Sequence, residues 1–453
     1  MATASLRGTA LSGPIDVAGF IDAYPVGRFQ VRVLLICSAV LFIDGFDTQA
    51  IGYVAPALGH EWSLPRGALG PVFSAGLFGL MIGALIFGPV ADHIGRRRIV
   101  MFSTAAFGIG TLLTMLVQDA GWLIALRFLT GLGLGGAMPN AVALTSEFSP
   151  HRRRATMVMM TFAGFSIGAA LGGLLAAALI PAFGWRSVFL VGGIAPLLLL
   201  PLLMAYLPES IRYLALDGRR DREVAALLAG IAPSASFEAA TRFTIAEPKL
   251  TGLPVAHLFA ERRTTTTMLF WVVFFMSLLD LYLLSNWLPT VLNDLGATVS
   301  VAAAVGAMLQ VGGVVGTFAL GRFIDRFSFR ALALTYLAAA LAVAAIGASG
   351  HSIILAAVAI FAAGFCIVGG QIAANALTAT YYPTAIRATG VGWALGIGRI
   401  GSIVGPLVGG FMLAQNVGAQ PLFTAAAIPA IIAAIAAFAL SRTATPAAAA
   451  DRR

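Results

Sequence analysis

From residue 30 to the end, the chain alternates apolar runs of about 20 residues, the length that crosses a bilayer core as helix, with short polar breaks. Twelve such segments are predicted, over 30–56, 68–91, 97–117, 121–147, 155–180, 186–207, 268–292, 299–321, 329–349, 352–381, 386–413 and 419–441. Strands of a membrane barrel are short and alternate in polarity, so continuous runs of this length exclude one. The one long polar interruption, 208–266, divides the spans six and six. The fold class predicted is an all-α integral membrane bundle in two six-helix halves. Residues 30–207 and 267–441 form the halves, joined by the loop at 208–266 and flanked by an N-terminal segment (1–29) and a tail (442–453).

Composition agrees, with 59% hydrophobic and 10% charged residues, a balance that a soluble domain could not keep in solution. The net charge of +9 could indicate a nucleic-acid partner, but its placement argues otherwise. Arginines crowd alternate breaks, DHIGRRR at 92–98, HRRR at 151–154, the 208–266 loop and GRFIDRFSFR at 321–330, while the breaks between them are nearly free of them. By the positive-inside rule the arginine-rich set is cytoplasmic, and so are both termini. No signal peptide is expected in the first 28 residues, which lack a compact apolar core before a cleavage site. Cys37 and Cys366 fall inside predicted spans and read as small packing residues.

The halves repeat. Gly88-x-x-x-Asp92-x-x-x-x-Arg97 recurs as Gly321, Asp325 and Arg330, and Pro150 with Arg154-Ala155-Thr156 recurs as Pro383 with Arg387-Ala388-Thr389. Both offsets are 233 (321 − 88 and 383 − 150), and Gly168 and Gly172 fall on Gly401 and Gly405 at the same shift. Parallel duplicated halves suit a carrier that rocks about a central site, whereas an anchor needs no such symmetry.

At these residues the sequence resembles the major facilitator superfamily over nearly its whole length. The loop motif G-x-x-x-D-x-x-G-R-R is present as Gly88, Asp92, Gly95, Arg96 and Arg97, with a degraded second copy in which Ser328 replaces the glycine. SEFSPHRRRA and PESIRYL resemble two further elements of the family, and Thr380 stands in the second half where the matching Glu would be. Within the superfamily, DGFDTQAIGYVAPAL and RFLTGLGLGGAMPNAVALTSE are similar to the aromatic acid:proton symporters, which carry 4-hydroxybenzoate, protocatechuate or benzoate into bacteria. The motif G-x-x-x-G-P-x-x-G-G, which marks antiporters when it lies in span five, lies in span eleven (Gly401 to Gly410), so no antiport follows. The resemblance implies a bacterial inner-membrane carrier that functions as a monomer and needs no metal or organic cofactor, with protons as the coupling ion.

An ionisable side chain at the bilayer centre costs about 2.5–3.5 kcal/mol even on lenient scales, so each should face a partner or a wet cavity. Away from the span ends these are Asp44, Asp47, Arg127, Glu147, Asp280 and Arg399. Asp44 and Asp47, three apart on one helix face, repel each other and resist joint ionisation, which makes one of them a proton carrier. Arg127 can bias which of them holds the proton, or the three can form a fixed salt bridge. Glu147 is either a further proton group or a latch to Arg152–Arg154. Arg399 and Asp280 both reach mid-depth, and the planar fork of Arg399 matches a substrate carboxylate unless it is tied to Asp280. Tyr282, Asn286, Trp287, Gln310, Gln371 and Asn375 are the neighbours able to bond a ring hydroxyl or stack on a ring, or simply to join helices. The loop charges Asp92, Arg96, Arg97, Asp325, Arg330, Arg154 and Arg387 read as a gate that closes the inner side.

The expected function is proton symport of an aromatic carboxylate through a lipid bilayer. Another organic acid or a sugar is the alternative cargo, and a membrane sensor for aromatic acids is the alternative class. No nucleophile elbow, phosphate loop or His-rich metal set argues for an enzyme, and no nucleic-acid partner is expected.

Overall fold

The computed structural model describes residues 14–65, 67–235, 237–238, 241–245, 255–260, 263–350, 352–383 and 386–443. The first half holds α2 (Arg28–Glu61), α3 (Gly70–Ile94), α4 (Arg96–Thr114), α5 (Ala120–Glu147), α6 (His151–Phe183) and α7 (Arg186–Tyr206), preceded by β1 (Pro14–Asp16) and α1 (Val17–Ala23). The connection carries α8 (Ile211–Asp217), α9 (Asp221–Ile231) and β2 (Arg242–Thr244). The second half holds α10 (Thr264–Asp294), α11 (Val299–Ala348), α12 (Ile353–Tyr381), α13 (Arg387–Ala414) and α14 (Ala419–Thr443). Among the described residues, eleven helical stretches are long and apolar enough to cross a membrane, with α11 counted as two limbs. Helix α4, which opens on Arg96-Arg97-Arg98, is the twelfth by its place in the repeat. Leu85, Leu116, Leu198, Ile354, Phe411 and Ile435 are exposed on the bundle's flank, as a lipid-facing surface requires.

Helix ends follow local chemistry. Asp119, Thr298 and Ser352 accept hydrogen bonds from the backbone N–H three residues on, satisfying the first turns of α5, α11 and α12. Asp119 and Ser352 are themselves 233 apart. The expected break at 321–330 is a kink: the first limb of α11 stays helical up to residue 327, and the second limb follows the non-helical Ser328 (φ 49, ψ −128). Its counterpart Gly95 (328 − 95 = 233) has φ 102 and separates α3 from α4. The turn is retained in the second half although a residue with a Cβ must adopt it.

The duplication is visible in the packing. Gly168 lies so close to the carbonyl of Phe42 that a Cβ would overlap it, and Gly401 lies in the same way against Phe275. Both members of each pair are 233 apart (401 − 168 and 275 − 42). The α2–α6 contact of the first half is therefore rebuilt as α10–α13 in the second, with backbones as close as small residues allow.

The apolar core shows which end is shut. At the arginine-poor end one cluster runs through both halves, joining Phe46, Leu58 and Phe73 to Leu284, Trp287 and Ile346. At the arginine-rich end the core divides into a first-half cluster with Phe107, Leu144 and Phe148 and a separate second-half cluster with Phe270, Phe329 and Tyr336. The hydrogen bonds between halves obey the same asymmetry. His60 Nε2 to Asn293 Oδ1 (2.9 Å), Ser300 Oγ to the Ala177 carbonyl (2.5 Å) and Ser74 Oγ to the Ile403 carbonyl (2.8 Å) run from the sealed end towards mid-depth. The halves are sealed at the arginine-poor end and parted at the other.

Under the first half, β1 pairs in parallel with β2, and α1 packs Val17, Phe20 and Ile21 against Leu214, Leu228 and Phe243. Arg152 donates to the carbonyls of Asp22 and Tyr24, so the N-terminal segment and the connecting loop form one pad on this half.

Candidate functional site

Asp44 and Asp47 lie on α2 at mid-depth, and both are fully buried. Asp47 Oδ2 is 3.5 Å from Arg127 Nη1 of α5, and Thr111 of α4 donates to Asp47 Oδ1 at 2.5 Å. Arg127 Nη2 donates to Thr114 Oγ1 (3.1 Å), and the guanidinium carbon sits 5.1 Å from the centre of the Phe189 ring. Each polar end of the pair is thus held by a hydroxyl, and the cation also rests on an aromatic face. Asp44 is served more thinly: Thr48, one turn along α2, donates to Oδ1 at 3.1 Å, and Oδ2 has no partner. A narrow cleft beside the pair is lined by Asp47, Thr48, Arg127 and Thr130, with Asn286 of α10 closing it from the other half.

Arg399 of α13 occupies the seam. Its Nη1 donates to Tyr282 Oη at 3.4 Å, and its Nη2 reaches Met138 Sδ of α5, across the seam, at 3.6 Å. It is half-buried, and among the described residues no carboxylate lies within ion-pair distance of it. The expected tie to Asp280 is not formed.

Three of the expected site residues are held in other contacts. Trp287 is 1% exposed, donates to the Pro406 carbonyl (2.9 Å) and meets Phe73 edge-on at 5.0 Å. Glu147 lies twenty residues beyond Arg127 on α5, roughly 30 Å along a helix, where it binds Arg96 (3.3 Å) and the Ser210 hydroxyl (2.7 Å) rather than Arg152–Arg154. Asp280 is buried with neither oxygen hydrogen-bonded. The remaining neighbours are Asn286, which donates to the Tyr282 carbonyl, Gln371, which donates to Asn375 within α12 at 3.4 Å, and buried Gln310.

Several of the loop charges form a network in the first half. Arg96 bridges Asp92 and Glu147 at 3.3 Å each, and Glu209 accepts the backbone N–H of Arg97 at 3.0 Å, where the N-terminus of α4 favours an anion. Glu209 also occupies the space a Cβ on Gly95 would need. The Arg97 side chain donates to the Met204 carbonyl, and Gly88 has open space around it. Arg154 is half-buried with Nε unbonded, and Arg330 is exposed. Arg387 donates to the Tyr382 carbonyl, and the side chain of Asp325 lies outside the described residues.

Thr111, Thr114, Phe189, Met138 and Glu209 were not anticipated as site residues. Threonine and phenylalanine in an apolar helix carry no signal of their own; only the pairing of Thr111 with Thr114 on one face of α4 hinted at a polar stripe.

The profile described as Major Facilitator Superfamily matches residues 37–270 and 270–453. The chain is similar to a gallate transporter of Pseudomonas putida, 43% identical, with 94% of this chain and 95% of that protein covered. It is also similar to a 4-hydroxybenzoate transporter of Pseudomonas aeruginosa, 42% identical over 92% of this chain and 94% of that one. Among solved structures, a bacterial homologue of the human lysosomal transporter Spinster superposes with a TM-score of 0.71 at 19% identity, covering 92% of this chain and 98% of its own.

Proposed function

The chain belongs to the major facilitator superfamily of membrane transporters, and from that premise we propose that it imports a hydroxylated aromatic carboxylate by proton symport across a bacterial inner membrane. The observation that carries the reading is Arg399, a cation at the seam with no carboxylate partner among the described residues, acting on a buried Asp44 that has one oxygen unbonded. A carboxylate entering the seam pairs with the Arg399 fork and cancels its field at Asp44, so substrate charge and proton are taken up together. Relatives that carry gallate and 4-hydroxybenzoate fit a substrate of this charge and size. Tyr282, Asn286 and Met138 line its neighbourhood with hydroxyl, amide and thioether groups suited to a hydroxylated ring.

With the arginine-rich end and both termini cytoplasmic, the conformation described is open inwards and sealed outwards. Asp47 and Arg127 keep the first half rigid around the proton site, and the protein works as a monomer with protons as its only cofactor. Import of a monoanion against an inside-negative potential needs this coupling, since one charge through 100 mV is worth about 2.3 kcal/mol.

The test is uptake of radiolabelled 4-hydroxybenzoate and gallate into proteoliposomes under an inward proton gradient. The parent accumulates label only with the gradient, Asp44→Asn exchanges label but accumulates it less than the parent, and Arg399→Ala loses both. Indifference of the parent to every aromatic acid offered refutes the substrate class; parental accumulation by Asp44→Asn refutes the coupling.

A further inference from the structure

The repeat aligns Asp280 with Asp47 (280 − 47 = 233), so the halves place a carboxylate at the same position of α10 and α2. What surrounds the two differs. Arg127, which pairs with Asp47, aligns with Ile360 (360 − 127 = 233), and Thr111, which donates to Asp47, aligns with Ala344 (344 − 111 = 233). Ile360 is fully buried and Ala344 packs against the apolar core. The second half has kept the acid and replaced both groups that would stabilise its charge.

The environment of Asp280 matches that loss. It is 1% exposed, and neither oxygen has a hydrogen-bond partner. Among the described residues, the charged or titratable groups in the middle of the helices packed against α10 are Asp44, Asp47 and Tyr53 on α2, Tyr336 on α11, Cys366 on α12 and Arg399 on α13, besides Tyr282 on α10 itself. Tyr336 is near enough to interact, but its hydroxyl is engaged with Ser277 Oγ at 3.0 Å, and Arg399 is outside ion-pair distance. A buried carboxylate with no cation and no donor is tolerated only with its proton on.

We propose that Asp280 is a second proton carrier of this transporter, holding a proton while the arginine-poor end is sealed and exchanging it with water in another step of the cycle. The step is a simple dissociation: the O–H proton passes to water and the negative charge stays on Asp280. The proposal rests on the symport reading and extends it, since each half then holds one titrating carboxylate, Asp44 in the first and, at the position matching Asp47, Asp280 in the second. The lost arginine becomes intelligible on these terms, because a permanent partner would hold Asp280 ionised and end its use as a carrier.

Three measurements on the full-length protein in proteoliposomes test this. Infrared difference spectra between high and low pH should contain a protonated-carboxyl band that Asp280→Asn removes and Asp280→Glu retains; this readout needs no substrate, so it stands even if the substrate class is wrong. Asp280→Asn, which mimics the protonated acid, should fold and exchange 4-hydroxybenzoate at the parental rate. At a gradient of one pH unit its accumulation ratio should fall about tenfold, the loss of one coupled proton. Retention of the carboxyl band, or parental accumulation by Asp280→Asn, overturns the proposal. Loss of exchange by a well-folded Asp280→Asn also overturns it, because that assigns Asp280 to substrate instead.

Discussion

Removing either member of the Asp47–Arg127 pair should damage the protein more than removing both. At 3.5 Å, and with an effective dielectric of about 20, the pair's attraction is about 5 kcal/mol. Desolvation of two nearly fully buried ions offsets most of that, so the pair contributes little net stability. A single deletion is different, because the survivor keeps its desolvation cost and loses its partner. Arg127→Met leaves Asp47 with only the Thr111 hydroxyl, and Asp47→Asn leaves Arg127 with Thr114 and Phe189. Each should cost about 3–5 kcal/mol, with Arg127→Met the worse because Phe189 still supports a lone cation but not a lone anion. The double variant should return to within about 1–2 kcal/mol of the parent, a coupling of several kcal/mol. Cys37 and Cys366 are free and buried, so a thiol-reactive fluorophore reports unfolding of the detergent-solubilised protein during a thermal ramp. A double variant that melts as low as the sum of the single losses refutes the reasoning, for the two groups would then not be acting on each other.

Ser328→Gly relieves a backbone conformation that a side chain disfavours by about 1–3 kcal/mol and should raise the melting temperature in the same assay, whereas Ser328→Ala should not. Trp287→Ala removes the indole bond to Pro406 and the edge contact with Phe73, which should loosen the arginine-poor seal. Labelling of a cysteine introduced as Thr290→Cys by an impermeant thiol reagent applied to that face should then be faster than with Trp287 intact.

Much of the architecture was legible because it is written twice. Span count and the 233-residue register follow from apolar run length and recurring glycines, and the structure repeats the register in matched contacts such as Gly168 on Phe42 and Gly401 on Phe275. How far the first limb of α11 runs before its kink at Ser328 was not legible, since polar residues at 321–330 look like a loop whether or not the backbone stays helical. At the site, Asp44, Asp47, Arg127 and Arg399 stood out because charge in an apolar span is costly. Their partners did not, because Thr111 and Phe189 cost nothing in such a span. The setting of Trp287 was not legible for a related reason: an aromatic residue at mid-span reads the same whether it faces a ligand or a seal, and only the conformation decides.

The two halves keep their shape and part in their charge. Alternating access needs both to present similar surfaces, so that packing lost at one end is regained at the other, and the close glycine contacts preserve that geometry in each half. Charge is under no such demand. A mirrored Arg127 in place of Ile360 would hold Asp280 as an ion, and the Arg96–Glu147 latch has neither partner in the second half, where Phe329 and Thr380 stand at the matching positions (329 − 96 and 380 − 147 are both 233). The first half therefore holds the standing ion pair and the latch. The second holds Arg399 and Asp280, neither with an ion-pair partner among the described residues, and on the proposed reading these are the two groups whose state changes when an anion or a proton arrives. A carrier built this way turns one half against the other on a symmetric scaffold while reading its cargo with asymmetric chemistry.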